Sequence, residues 1–365
     1  MSRPIVAEIC LDSFKYNLEY ARKLAGGGPL IVVLKANAYG HGIQGIFSAL
    51  RPDDLIALTS QDEAVQVRQL GAKNRILLLE GCFDQSELAW CVEHNVDFVL
   101  HSMYQVDFLR EFLQVTEGRF GRCGVWFKVD TGMHRLGFSC EEFSSAFEAV
   151  FQMEGVGIAG VMTHMACADV PESPATLTQY AQFETLIQSY PAIQRVSTAN
   201  SAVLMNFPSL RSDISRPGIM LYGGSCRENF TGAQLGLKPV MRLKSKIIAL
   251  RVLKAGESIG YGFRWEATAT TLIGIVAAGY ADGYPRHAPN GTPVWVSGRR
   301  ARLAGRVSMD MIAIDLTGCD AELGTEVELW GEHISIDEVA TLSGTISYEI
   351  MTGITSRVAR LFLAA

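Results

Sequence analysis

Pro29–Gly42 reads PLIVVLKANAYGHG, and the fold is decided here. The apolar run Leu30–Leu34 is bounded by glycines on one side and by a turn-rich segment on the other, the pattern of a buried parallel strand. It ends in Lys35. A lysine where a buried strand meets a loop can be stripped of water, which disfavours an ammonium ion and leaves an amine able to form a Schiff base. After it, Asn37, Gly40 and Gly42 supply turn chemistry, and Tyr39 and His41 supply polar tips able to hold a phosphate or a ring. Taken singly, a strand-end lysine is more often a solvated charge.

Working outward, short apolar runs recur at Ile31–Leu34, Leu55–Leu58, Ile76–Leu79, Val96–Leu100, Val125–Val129, Gly157–Met162, Arg195–Ser197 and Ile214–Leu221, separated by amphipathic segments of helical spacing. Strands alternating with helices in this rhythm predict an α/β fold, an N-terminal (β/α)8 TIM-like barrel, the last two runs giving the weakest strand signals. Residues 5–9 read as a further short strand. Leu11–Leu24 reads as a helix with Asp12 and Ser13 available as caps, closed by Gly26–Gly28. Beyond about Gly236 the rhythm changes to alternating segments at Val240–Val252, Thr271–Ala277, Thr292–Val296, Ala301–Val307, Met311–Leu316 and Thr325–Trp330, which predicts a mostly β C-terminal domain. The boundary falls within residues 223–240: a barrel over 10–230, and a β-rich domain over 231–365 that the opening strand within 1–9 joins.

A barrel places its active site at the carboxyl ends of its strands. Lys35 follows the first run, Lys128 and Asp130 fall at the end of the fifth, His164 follows the sixth, Asn200 and Ser201 follow the seventh, and Arg216 and Gly218 mark the eighth. In FKVDTGMHRLGF, Arg135 sits in a Gly-punctuated loop where it could clamp a carboxylate in two-pronged fashion. In STANSAV and SRPGIMLYGG, Ser201 and the amides after Pro217 are small donors suited to a phosphate. Tyr261 in ESIGYGFRWEA lies in a Gly-flanked turn, where plain packing is the alternative.

Composition bounds the rest. The 365 residues are 48% hydrophobic and 19% charged with a formal charge of −6. No apolar run approaches the roughly 20 residues of a membrane helix, and no basic tract suggests nucleic acid. The start MSRPIVAEIC has no apolar leader region, so a cytoplasmic location is expected. The eight cysteines are scattered, without a CxxC pair or zinc spacing, and read as reduced thiols; no metal site is expected.

LKANAYGHG, KVDTGMHRLG, STANSAV, SRPGIMLYGG, ESIGYGF, GYADGYPR and GRVSMDM together resemble the alanine racemase family over nearly the whole chain. The resemblance implies pyridoxal 5'-phosphate carried on Lys35, with phosphate contacts from Tyr39, Ser201, Gly218, Ile219 and Tyr348, a cofactor-proximal Asn200, and Arg216 facing the pyridine nitrogen. An arginine stays protonated, so it would leave the ring a weaker electron sink, suited to racemisation rather than transamination. It implies Lys35 and Tyr261 as bases on opposite faces of the substrate, His164 as support, and Lys128, often carbamylated in the family, paired with the substrate-orienting Arg135. Met309 and Asp310 would stand near substrate, and Tyr280, Asp169, Arg286 and Arg306 at the entrance. Met165 stands where the family usually has an aromatic. Because Tyr261 reaches a different barrel in the family, a homodimer acting on L- and D-alanine is implied, in a role either in D-alanine supply for peptidoglycan or in alanine breakdown. Two other readings remain: a decarboxylase of the same architecture, for which no catalytic cysteine word is evident, and a barrel-only cofactor carrier, which would not need residues 240–365.

Overall fold

The computed structural model describes residues 3–116, 121, 123–210 and 212–363, so residues 117–120, 122 and 211 of the expected barrel and residues 1–2 and 364–365 of the expected β-rich domain lie outside the described residues. The chain opens with β1 (Val6–Cys10), which runs directly into α1 (Leu11–Leu24). No side chain caps α1: Cys10 is its first flanking residue, and Asp12 lies inside the first turn, where its charge meets the positive end of the helix dipole. The expected caps Asp12 and Ser13 are therefore displaced, because β1 leaves no loop in which a capping residue could turn. Gly26 and Gly27, at φ 82° and 92°, then close the helix.

Seven parallel strands follow: β2 (Ile31–Val33), β3 (Leu55–Leu58), β4 (Arg75–Leu78), β5 (Val96–Leu100), β6 (Cys123–Lys128), β7 (Val156–Met162) and β8 (Val196–Ser197), each paired with the next. Their apolar runs are continuous because helices cover the outside while side chains fill the inside. The eighth run does not form a strand. Asp213–Pro217 instead bridges the gap by individual bonds, Asp213 N and Arg216 N donating to Val196 O and Ala199 O at 2.9 and 2.7 Å, while Ile31 N and Val33 N donate to Ser215 O and Pro217 O at 2.9 and 3.2 Å. Pro217 has no N–H for a regular ladder. The chain past it winds into a short 3-10 turn, Ile219–Tyr222.

The C-terminal part is built around β9 (Met241–Leu253), with the small hairpin β10 (Ser258–Ile259) and β11 (Trp265–Glu266), then β12 (Thr271–Val276), β13 (Pro293–Val296), β14 (Arg299–Leu303), β15 (Ile312–Asp315), β16 (Glu326–Trp330) and β17 (Ala359–Leu363). The order β12-β15-β14-β13-β16-β9 closes into a ring because the far half of β9 pairs back with β12. β1 pairs antiparallel with the near half of β9 and parallel with β17, so the opening strand belongs to this sheet. No helix of the described residues is long and apolar enough to cross a membrane. All eight cysteines are free thiols.

One buried ion pair fastens α1 to the barrel. Asp54 receives Arg22 through both oxygens at 2.9 Å, along with the amides of Leu30 and Arg51, also at 2.9 Å. Both side chains are almost wholly buried. Removing one partner of such a pair leaves an uncompensated buried charge, which costs about 3–5 kcal/mol. Asp54→Ala is accordingly expected to lower the thermal midpoint by several degrees at fixed protein concentration, whereas alanine at the exposed pairing partner Glu19 moves it little.

Candidate active site

Lys35 stands at the end of the β2 run, half-buried, and the chain beyond it does something the sequence does not announce. Ala36, Asn37, Ala38 and Tyr39 all adopt left-handed backbone angles, with φ between 51° and 54°. Four consecutive non-glycine residues in that region carry strain on the order of 4–8 kcal/mol, at roughly 1–2 kcal/mol each. Bonds on every side hold them there. Ala36 N donates to Glu63 Oε1 at 2.6 Å, Ile43 N to Asn37 Oδ1 at 2.9 Å, and Gly42 N to Asn37 O at 3.0 Å. Gly40 ends the turn at φ 79°, and a β-carbon there would lie 2.1 Å from Met351 O. His41 does not reach the cavity as the sequence reading expected: it is fully buried beneath the turn.

A cavity of about 830 Å³ opens at the carboxyl ends of the barrel strands. Lys35, Tyr39, Lys128, Arg135, His164, Asn200, Ser201, Arg216, Gly218, Ile219 and Tyr348 all line it. Arg135 is delivered by a loop that Asp130 shapes: its Oδ1 accepts Gly132 N and His134 N at 2.9 and 3.0 Å, and Gly137 lets the chain return against Asp130. Arg216 is buried and directs Nη1 to Ser197 Oγ and Nη2 to Thr163 O, both at 2.6 Å. Burial lowers its pKa to about 10, which keeps it charged at neutral pH. Lys128 is lowered to about 8 by burial and by the charges of Arg216, Arg135 and Lys35, against the opposing pull of Glu80. His164 falls to about 3 through burial and then the same cationic group. Its imidazole is neutral at pH 7.

A positive site of this kind calls for an anion. On its wall, Ser201 Oγ accepts Gly218 N at 2.8 Å, and Asn200 caps the helix Ser201–Asn206 by accepting Val203 N at 2.9 Å. A β-carbon at Gly218 would come within 2.6 Å of the Tyr39 hydroxyl, so only glycine leaves room between them. Hydroxyls of Tyr39 and Ser201, a glycine-lined wall and nearby cations form a donor set that fits a phosphate.

The remaining expected site residues lie outside this cavity. Tyr261 is 68% exposed on the C-terminal domain, in a 3-10 turn beside Arg306. Met309 and Tyr280 are exposed too, and their loops are laced by Tyr280 N to Ser308 O at 3.1 Å and Ala281 N to Met309 O at 3.0 Å. Arg286 stacks over the Tyr280 ring. Asp310 is held by Arg357 at 2.6 Å, and Asp169 is exposed on the barrel side, its carbonyl accepting Glu228 N. The sequence reading passed over Leu79, Glu80, Leu136, Met162, Glu349 and Thr352, which also line the cavity. Glu80 had a usable signal, since it ends the apolar run ILLL at a barrel strand.

A (β/α) barrel with a strand-end lysine among cations, followed by a closed β domain, defines a class of anion-binding barrel enzymes. Comparison with known proteins narrows it. Residues 9–226 match the model for the alanine racemase N-terminal domain and residues 240–362 that for the alanine racemase C-terminal domain. The chain is 46% identical to an alanine racemase of Marinobacter nauticus, with 99% of both chains covered, and 43% identical to the biosynthetic alanine racemase of Pseudomonas aeruginosa, again over 99% of each. The crystal structure of the latter superposes with a TM-score of 0.94 at 42% identity, covering 99% of this chain and all of that one; the Acinetobacter baumannii alanine racemase gives 0.93 at 37%, with the same coverage. The chain belongs to the alanine racemase family.

The depressed histidines set a pH dependence. His41 is lowered to about 4, mainly by burial, and His164 to about 3. Below pH 6.5 the unfolded chain takes up protons that the folded chain refuses, so stability present above 6.5 is lost as pH falls toward 3–4. The thermal midpoint is expected to drop between pH 7 and pH 5, and less so in His41→Asn. A second expectation concerns Gly218→Ala, which closes the gap to Tyr39 and is expected to weaken inorganic phosphate binding at least tenfold by calorimetric titration.

Proposed function

We propose that this chain interconverts L- and D-alanine with pyridoxal 5'-phosphate as cofactor and acts as a homodimer. The observation that carries the reading is the convergence of Lys35, Lys128, Arg135 and Arg216 on one cavity whose Tyr39–Gly218 wall fits a phosphate. When bound, pyridoxal phosphate supplies an aldehyde for an amino group and an electron-withdrawing ring that makes the α-hydrogen of an amino acid acidic.

The chain's own residues supply the rest. Lys35 would hold the cofactor through its amine; Tyr39, Ser201, Gly218, Ile219 and Tyr348 would hold its phosphate, and Asn200 would stand beside it. Arg216, anchored on Ser197 and Thr163, would offer the pyridine nitrogen a donor without yielding a proton. Arg135 would orient the substrate carboxylate. Lys128, with its pKa lowered to about 8, offers a larger neutral fraction at physiological pH than an ordinary lysine. Such an amine is open to carbamylation beside Arg135.

Racemisation needs a proton acceptor on one face of Cα and a donor on the other. Lys35 serves one face; Tyr261, from a second copy of the chain, serves the other, with neutral His164 in support. The apolar surface of Tyr261, Phe263, Tyr280, Met309 and Met311 is exposed on one protomer, which supports a subunit contact that also brings Met309 and Asp310 near substrate and sets Tyr280, Asp169, Arg286 and Arg306 about the entrance. The relative named biosynthetic favours D-alanine supply, a cytoplasmic task, over alanine breakdown.

A chiral assay of purified protein with added cofactor tests the reading. D-alanine is expected to form from L-alanine, and the rate is expected to fall by 100-fold or more in both Lys35→Ala and Tyr261→Phe, the scale of a lost acid–base group. Cofactor binding without racemisation of any amino acid would replace the enzyme by a carrier, and a fully active monomer by sedimentation would remove Tyr261 from the chemistry.

A further inference from the structure

His41 is the least explained polar group near the site. It lies at 0% exposure and is not among the residues that line the cavity. Its Nδ1 lies 3.0 Å from Ala38 O and 2.9 Å from Tyr39 O. Carbonyls only accept, so Nδ1 carries the ring proton. Nε2 is then an acceptor, and it is buried without a partner. An orphaned nitrogen in a fully buried ring is an expense that packing alone would avoid, since an apolar ring fills the same volume.

The two carbonyls explain the choice. Both belong to left-handed residues of the strained turn, and the ring lies against Tyr222, at 4.7 Å between centroids, which stacks in turn on Tyr39 at 4.6 Å. Tyr222 is fixed by donating to Val33 O of β2 at 2.8 Å. From outside, Arg360 of β17 donates through Nε to Gly40 O at 2.9 Å and spends its other nitrogens on the carbonyls of Ile354, Thr355 and Val358. The turn is thus gripped between one imidazole and one guanidinium.

We propose that His41 is a positioning residue: by donating one proton to two carbonyls it locks the left-handed turn that aims Lys35 and the Tyr39 hydroxyl into the cavity. The inference rests on the cofactor reading above. Released from His41, the strained residues relax toward ordinary backbone angles, and the amine and the phosphate wall separate.

The test compares His41→Asn with His41→Gln. The asparagine amide nitrogen occupies the place of Nδ1, whereas that of glutamine occupies the place of Nε2. Three quantities are read for each protein: the thermal midpoint without cofactor, the dissociation constant of pyridoxal phosphate from fluorescence quenching, and kcat with KM. The glutamine variant is expected to bind pyridoxal phosphate at least tenfold more weakly and to lose kcat more than it raises KM, with asparagine restoring affinity to within about threefold of the parent. Equal behaviour of the two variants overturns the proposal, as does a lowered midpoint with unchanged cofactor affinity. Should the glutamine variant fail to fold, His41→Phe, which keeps a buried ring and removes the Nδ1 donor, is read in its place, and unchanged cofactor affinity there overturns the proposal. Failure of the parent itself to bind the cofactor would instead remove the functional reading.

Discussion

The structure depends on a short piece of backbone held in the wrong hand. Left-handed angles at Ala36, Asn37, Ala38 and Tyr39 are unfavourable one by one, and they persist because the barrel, the Asn37 side chain, Glu63 and the C-terminal domain each fix part of the turn. The geometry that results places a lysine amine and a tyrosine hydroxyl on the same cavity. A right-handed turn would continue β2 into an ordinary barrel loop. Strain here is a means of placement, and the C-terminal domain contributes to maintaining it through Arg360.

Electrostatics reinforces this constraint. Four cations face one cavity with Glu80 and Glu349 as the acidic residues in its wall. Burial first, and mutual repulsion after it, lower the pKa values of Lys128 and His164, and the repulsion raises the energy of the empty site. An anion with charges at both ends relieves that repulsion on arrival. Binding is therefore favoured by what the folded chain lacks as well as by what it offers.

Much of this was legible in the sequence, for physical reasons that differ by residue. The barrel strands were readable because a strand buried on both faces is apolar throughout, and the residues that line the cavity were readable because polar side chains end those runs. The eighth stave was not, since Asp213–Pro217 is bonded on both sides yet broken by Pro217. Nor was the turn: alanine carries no signal for a left-handed backbone, and only Asn37 and the glycines at 40 and 42 hint at one. His41 was misplaced for the same reason, because its direction depends on the hand of the turn before it. Glu80 was overlooked although its position after ILLL matched those of Lys35 and Lys128. The roles proposed for Tyr261 and Met309 rest on family resemblance, as both stand on an exposed surface of a single chain.

The sheet that holds β1 draws on both extremes of the described chain. β1 finds its partners only in β9 and β17, so on the ribosome it must wait, unpaired, while every barrel strand is made. β17 also carries Arg360, whose guanidinium reaches Gly40 O. The Lys35–Gly40 turn therefore receives its outer grip only after the whole barrel and the rest of the β domain's sheet have emerged. A chain interrupted before that point has a barrel and a lysine but a turn that lacks its grip on Gly40 O, so synthesis itself delays the finished site until β17 is made.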